Sequence, residues 1–443
     1  MEDSDRTLPG DPADRSTARR LDEADPLSSF RDRFDLPDEL YMDGNSLGPI
    51  SDAAAATLER TVEEWRELGI RGWEDAERPW FRYGEHLGDR LAPYLGADPA
   101  EVVVTNSTTV NIHTLVGTFL DELLAGNTPD GSPIEEPPAV LVNELDFPTD
   151  HYAIRAQLRA RGINPDEKLV LVESDDGRTI ETDAIAEALD RRPDVGIVFL
   201  PTVLYRSGQL FDVAAIAELA RDANAYVGFD AAHSIGVVPH AFDEAGVDFA
   251  VWCSYKYLNA GPGAIAGLYV ADRHFGMTPA LPGWWGHEKE TQFEMNPTYT
   301  PARSAGAWQI GTVPILGAAP LEGALDVLEE AGIDAIRSKS IELTGYLIGL
   351  VDERLDDSFA VGTPRSPARR GGHVAVEHPD ARSFSAALRD SGVIVDFRPP
   401  NVIRICPAPL YTRFVDVWSV VDRLLTIEAE GRHRSIDDRG DVV

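Results

Sequence analysis

Lysine is nearly absent from this 443-residue chain: Lys168, Lys256, Lys289 and Lys339 are the four among 40 basic residues. Cysteine is scarcer still, with Cys253 and Cys406 alone. No Cys-x-x-Cys pair, His-Glu-x-x-His run or clustered Cys/His spacing accompanies them, which argues against a structural metal. No apolar run approaches the roughly 18 residues that a membrane span needs. The first twenty residues are polar and lack the apolar centre of a secretory signal. They read as a disordered or loosely packed arm, and the protein as cytosolic. Positive charge is also short, since 75 acidic residues leave a net charge of −35. Such acidity argues against nucleic acid or anionic membrane as a partner. It suits a solvated surface of the halophilic type, because at about 1 M salt the Debye length is only roughly 3 Å. An ordinary acidic cytosolic protein is the plainer alternative.

What is present is an alternation of short apolar strands with amphipathic helices, which predicts an α/β fold with a mostly parallel sheet. Hydrophobic residues make up 43% of the chain, enough for a full core. Strands are expected at 101–105, 139–143, 169–173, 196–200, 226–230, 249–253 and 264–270. Helices are expected at 110–124, 150–161, 182–191 and 213–223. Residues 126–138 read as a polar, Pro-rich surface loop. A long helical pattern at about 317–354 would connect two domains. Beyond it, strands at 373–378, 392–397 and 402–405 with a helix at 381–389 make a compact α+β unit. The implied division is an arm at 1–40, a large domain at 41–317, a connecting helix at 318–354 and a small C-terminal domain at 355–443.

Lys256 carries the strongest chemical signal. It follows the apolar run Phe249–Cys253 and precedes a Gly-rich turn at 259–263, so it stands at the end of a buried strand. Asp230 closes another apolar strand 26 residues earlier. A lysine able to form a Schiff base, with a carboxylate able to pair a pyridinium nitrogen, is the requirement of pyridoxal 5'-phosphate (PLP) chemistry. Thr108 and Thr109 open a helix directly after a strand. Free N–H groups and hydroxyls there suit a phosphate, although simple N-capping uses the same residues. His233 lies three residues past Asp230 and would face the same crevice. Phe147 could lie on a flat cofactor ring or belong to the core. Tyr255, beside Lys256, could bond a phosphate and shuttle a proton. The Gly-bounded run Gly283-Trp284-Trp285-Gly286-His287 suggests a loop that recognises a flat ligand. Arg404 is a charge inside an apolar strand, suited to a substrate carboxylate or to a structural ion pair.

With these residues in view the chain resembles the kynureninase family, fold-type-I PLP enzymes of the class V aminotransferase-like superfamily. The resemblance covers about 41–411. It rests on Gly44-Asn45-Ser46-Leu47-Gly48, Phe147-Pro148-Thr149-Asp150-His151-Tyr152, Gly228-Phe229-Asp230 and Trp252-Cys253-Ser254-Tyr255-Lys256-Tyr257-Leu258-Asn259. The aromatic loop at 283–287 and Arg404 with Pro407, Pro409, Leu410 and Tyr411 complete it.

The resemblance implies hydrolytic Cβ–Cγ cleavage of L-kynurenine, or its 3-hydroxy form, to anthranilate and L-alanine through a Schiff base of PLP on Lys256. Asp230 would pair the ring nitrogen, and Thr108, Thr109 and Tyr255 would bind the phosphate region. Phe147 would stack on the ring, with Asp150 and His233 also at the cofactor. Trp284 and Thr312 would reach in from the neighbouring subunit of a homodimer with shared active sites. Arg404 would hold the α-carboxylate, with Asn45, Ser46, Trp284 and His287 around the substrate. Two departures stand out. Pro201-Thr202 occupies the place where the family usually has Ser or Thr ahead of a Tyr-x-Thr-Gly segment, and Thr312 stands where some members carry Asn. The rival within the superfamily, a cysteine desulfurase or selenocysteine lyase, needs a nucleophilic cysteine on a mobile loop. Cys406 is its one candidate, and a strand is a poor place for mobility. A catalytically silent PLP-fold binding protein is the remaining alternative, against which Lys256, Asp230 and Arg404 stand together.

Overall fold

The computed structural model describes residues 11, 13–133 and 136–435. Its centre is a seven-stranded sheet built from Val102–Val104, Ala139–Asn143, Leu169–Val172, Val195–Pro201, Tyr226–Asp230, Phe249–Cys253 and Ala266–Val270. Across the sheet these run in the order 102–104, 266–270, 249–253, 226–230, 195–201, 139–143, 169–172. The five strands from 249–253 to 169–172 are parallel to one another. The strands at 266–270 and 102–104 close the edge in antiparallel pairing. The α/β architecture with a mostly parallel sheet is as expected.

Continuous apolar runs form these strands because both faces of the sheet are covered. Side chains alternate between faces along each strand. Val140, Val142, Phe249 and Val251 therefore pack with Ile112, Val116 and Phe119 of helix Thr108–Leu124 on one side. Leu141, Ala250 and Trp252 pack on the other, with Leu87, Leu91, Leu321 and Leu325. Phe119 stacks on Phe249 at 4.7 Å between ring centres, worth about 0.5–1.5 kcal/mol beyond the buried area. Helix Thr108–Leu124 is thus clamped to the strand that leads into Lys256.

The helical stretch expected at about 317–354 divides into Ile315–Ala331 and Ile333–Arg354. Gly332, at φ +76°, ends the first, because a left-handed residue cannot continue a right-handed helix. The first helix buries Leu321, Leu325 and Leu328 in the large core. The second buries Leu343, Leu347, Leu350 and Val351 in the core of the small domain. That domain has a four-stranded antiparallel sheet in the order 396–398, 402–405, 374–377, 360–361. The single strand expected at 392–397 is two pieces. Val393–Ile394 pairs with Leu40–Tyr41, and Asp396–Arg398 pairs with Val402–Ile405.

The expectation of a loose N-terminal arm is corrected from Arg15 onward. Arg15–Ala24 is a helix, and its Asp22 carboxylate accepts the backbone N–H groups of Phe414 and Val415. Those donors open helix Phe414–Glu430, where a carboxylate is favoured. Residues 1–10 and 12 of the arm lie outside the described residues. No helix among the described residues is long and apolar enough to cross a membrane.

Candidate active site

The parallel strands deliver their chemistry to one edge, the place where ligands bind in open α/β sheets. Asp230 is the last residue of its strand and lies level with Val251 of the next. Three residues past that next strand is Lys256. A tight turn fixes it: the N–H of Asn259 donates to Lys256 O at 2.9 Å, and that of Ala260 to Ser254 O at 3.0 Å. Asn259 takes φ +55°, a left-handed conformation that Asn tolerates. The Gly44–Gly48 loop docks on this turn through Gly48 N–H to Tyr255 O at 2.7 Å. A Cβ on Gly48 would lie 2.5 Å from Lys256 O, so only glycine permits this approach.

Lys256, Asp230, His233, Tyr255, Thr108 and Thr109 surround one cavity of about 260 Å³. Phe147, Asn45, Ser46 and Arg404 form its remaining expected walls. Lys256 Nζ is 2.7 Å from His233 Nε2. Burial lowers the lysine pKa. Burial, then the neighbouring Lys256, holds the His233 ring well below its ordinary value. Both shifts run toward the neutral form. Asp230 accepts the N–H of Ala232 at 2.8 Å, and burial raises its pKa against the opposing pull of Lys256. No ion pair joins Asp230 to Lys256 among the described residues. Burial also raises the Tyr255 hydroxyl, so it remains a donor at neutral pH.

His233 Nδ1, of a cavity residue, is buried without a partner, as are Ser254 Oγ and Asp150 Oδ1, whose residues lie outside the cavity wall. An unmet buried polar atom costs about 1–3 kcal/mol, so a ligand rich in complementary groups is favoured. Helix Thr108–Leu124 begins at the cavity, and its first turn leaves backbone N–H groups without intrahelical acceptors. Thr109 Oγ1 lies 2.8 Å from Thr149 Oγ1. An anion cradle, a buried carboxylate and a buried amine on adjacent strand ends fit the phosphate, ring nitrogen and aldehyde of PLP.

Not every expected residue reaches this cavity. Asp150 is buried behind it, among Asp146, Asp230 and Leu145, and its pKa is raised well above the ordinary value by burial and then by Asp230. Trp284, His287 and Thr312 are absent from the cavity walls within one chain, among the described residues. His287 is committed locally: Nε2 meets Thr291 Oγ1 at 3.0 Å, and Nδ1 accepts the N–H of Thr300. It braces its own loop. Phe147 is 48% exposed and meets Tyr205 edge-on rather than lying in a closed core. Thr202, following the unusual Pro201, is fully buried and bonds Ser234 Oγ at 2.6 Å, behind Asp230.

Five wall residues carry no site expectation from sequence: Thr149, Tyr205, Ala232, Cys253 and Arg398. Behind them, Asp396 is buried against Arg404 and Arg398. An Asp-x-Arg pair within a short strand was the available signal for the last two. A larger groove of about 650 Å³ lies beside Lys168 and Arg192. Asp194 holds both, and Glu187 pairs with the third lining cation, Arg191, so no cation among the described lining residues is free.

A family model described as the kynureninase C-terminal domain matches residues 336–424. A kynureninase of Geobacillus thermodenitrificans strain NG80-2 is 47% identical over 428 residues, 96% of this chain and 97% of that one. One from Bacillus thuringiensis subsp. konkukian strain 97-27 is 44% identical over the same shares. Among solved structures, the apo cysteine desulfurase of Thermococcus onnurineus NA1 superposes with a TM-score of 0.73 at 18% identity, covering 93% of this chain and 98% of that one. The cystine C-S lyase C-DES in complex with cysteine persulfide gives 0.73 at 19%, covering 88% and 98%. At such identities these structures show the shared fold alone.

The thiols distinguish this site from one that uses a cysteine nucleophile. Cys406 is fully buried at the end of strand Val402–Ile405, 3.4 Å from the Tyr257 hydroxyl, and burial pushes its pKa up to about 12. Burial raises Cys253 as well. In the native protein at pH 8, iodoacetamide should leave both thiols unmodified over an hour, whereas both should react in denaturant. Rapid native alkylation of Cys406, read by mass spectrometry, would mean that it is a mobile, ionisable nucleophile.

Proposed function

The chain belongs to the kynureninase family, and we propose how its own residues carry the family's reaction. It is a PLP-dependent hydrolase acting on a carbon–carbon bond. L-Kynurenine and water give anthranilate and L-alanine; the 3-hydroxy substrate would follow the same course. The observation that carries the residue assignment is the pairing of buried Lys256 with His233 beside Asp230 at one strand edge.

When bound, PLP supplies the electron-withdrawing ring that stabilises negative charge at the substrate's Cα and then at Cβ. Lys256 would hold the cofactor and, once released, remove the Cα proton, a role that its lowered pKa favours. His233, neutral at pH 7, can accept a hydrogen bond from the Lys256 amine and so orient it. Asp230 would pair with the ring nitrogen, whose positive charge would keep this buried carboxylate ionised. Thr108, Thr109 and the helix start would take the phosphate. Tyr255, protonated at neutral pH, can donate a proton where water adds to the γ-carbonyl. Arg404 and Ser46 line the same cavity and would face the amino acid's carboxylate.

The working unit we assign is a homodimer with shared sites. Trp284 is 47% exposed and meets Phe293, itself 66% exposed, edge-on at 5.6 Å between ring centres. Thr312 is exposed as well. An exposed aromatic patch of this kind suits a subunit contact. An isologous contact would carry each subunit's Trp284 and Thr312 to the partner's cavity. Both cysteines are unpaired and buried, which suits a reducing compartment, and we place the protein in the cytosol. The net charge of −35 suits concentrated salt.

Wild-type protein with PLP should release fluorescent anthranilate from L-kynurenine. Lys256→Ala should lose that activity at least 1,000-fold, together with the visible absorbance of lysine-bound PLP, while keeping its far-UV circular dichroism. Full activity in that variant would end the assignment of Lys256. Mixing it with an inactive Trp284→Ala/Thr312→Ala chain tests the shared site. One intact site per mixed dimer predicts recovery of about a quarter of wild-type activity. Mixed dimers without any recovery would place the whole site within one chain.

A further inference from the structure

Arg404 is the residue expected to grip the substrate's α-carboxylate, yet its donors are nearly all engaged. Nε donates to Asp396 Oδ1 at 3.0 Å, and Nη1 to Tyr205 O at 2.7 Å. Nη2 donates to Ser46 Oγ at 2.8 Å and also pairs with Asp396 Oδ2. The Asn45 amide, turned so that its oxygen faces the guanidinium, accepts from Nε as well. Of five guanidinium N–H groups, one is left. A carboxylate has two oxygens to satisfy, and a single N–H cannot form the two-point fork that makes arginine selective for it.

Arg398 has the donors that Arg404 lacks. It lies on the same cavity wall, two residues past Asp396 on strand Asp396–Arg398. Its Nη2 meets Asp396 Oδ2 at 2.8 Å, its side chain is 20% exposed, and its Nε is buried without a partner. Charge balance points the same way. Asp396 is fully buried and already neutralises one guanidinium. Asp43 adds a second buried carboxyl, raised to about 6 by burial and by Asp396. A substrate carboxylate approaching Arg404 alone would meet net negative charge. With Arg398 included, two guanidinium groups balance Asp396 and Asp43, and the incoming carboxylate no longer meets net negative charge.

We infer that Arg398 is a substrate-binding residue, the second guanidinium of a clamp on the amino acid's α-carboxylate, with Asp396 as the buried spacer that sets both arginines. In this arrangement Arg404 is the fixed member, tied to the Asn45–Ser46 loop and to Tyr205. Arg398, with its free Nε and partial exposure, is the member that closes on the ligand. The inference rests on the substrate's being an α-amino acid, as the family reaction requires.

The test uses holoenzyme and two competitive inhibitors that share the 2-aminophenyl ketone of kynurenine and lack its amine. One, 4-(2-aminophenyl)-4-oxobutanoate, keeps the carboxylate; the other, 1-(2-aminophenyl)propan-1-one, lacks it. The ratio of their inhibition constants reads carboxylate recognition within a single protein sample, so a misfolded fraction cancels. Arg398→Gln should reduce the wild-type ratio roughly 10- to 100-fold, raise KM for L-kynurenine by a similar factor and change kcat much less. Arg398→Lys keeps the charge opposite Asp396 but not the planar fork, and should reduce the ratio several-fold. It also serves if the Gln variant fails to fold or to retain PLP. An unchanged ratio in either folded variant overturns the inference while leaving the kynureninase reading intact. A wild-type protein that releases no anthranilate from L-kynurenine would instead remove the reading on which the inference rests.

Discussion

Burial of ionisable groups without full pairing is the constraint on which this site depends. Asp230 and Lys256 are presented at the ends of adjacent parallel strands, and no ion pair joins them among the described residues. Lys256 is met instead by a histidine that burial keeps neutral. The sheet makes this tenable. Its two apolar faces, with Phe119 stacked on Phe249 and Trp252 packed opposite, fix the strand that aims Lys256. A charged ligand that pairs with Asp230 relieves the desolvation that raises its pKa. The same desolvation favours the free amine form of Lys256, which the proposed proton abstraction requires.

A second buried charge cluster joins parts of the chain that are distant in sequence. Arg404 comes from the small domain, Ser46 and Asn45 from a loop near the N-terminus, and the Tyr205 carbonyl from the segment after strand Val195–Pro201. Removing one partner of a buried ion pair typically costs 3–5 kcal/mol, because the other charge is stranded. Arg404 thus ties the small domain to the cavity wall, held in place by Asp396. Asp396 also sets how much of Arg404 is left for a ligand. Fold closure and carboxylate recognition draw on the same set of hydrogen bonds.

Residues at the ends of uninterrupted apolar runs were legible in the sequence. Strands 139–143, 226–230, 249–253 and 402–405 and helix 182–191 stand where their patterns put them. Asp230, Lys256, Thr108 and Arg404 each flank or occupy such a run, and the cavity collects them. Features that depend on non-local pairing were not legible. Helix Arg15–Ala24 has a polar sequence and buries only Thr17 and Ala18; Asp22 anchors it to a helix almost four hundred residues away. Asp396 is set opposite Arg404 by antiparallel register, and nothing in a single strand's pattern announces that pairing. The motif at 283–287 marked an aromatic loop, but the hydrogen bonds that turn His287 inward come from Thr291 and Thr300.

The central claim is that Asp230 is held ready for a cationic ring nitrogen. The most direct measurement is the melting temperature of the PLP-free protein with and without added PLP, in the wild type and in Asp230→Ala. A ligand that binds only the folded state at a hundredfold above its Kd stabilises by about 2.7 kcal/mol. The wild type should therefore gain several degrees on adding PLP, and Asp230→Ala should lose most of that gain. An equal gain in both proteins would show that Asp230 takes no part in holding the ring, contradicting the account.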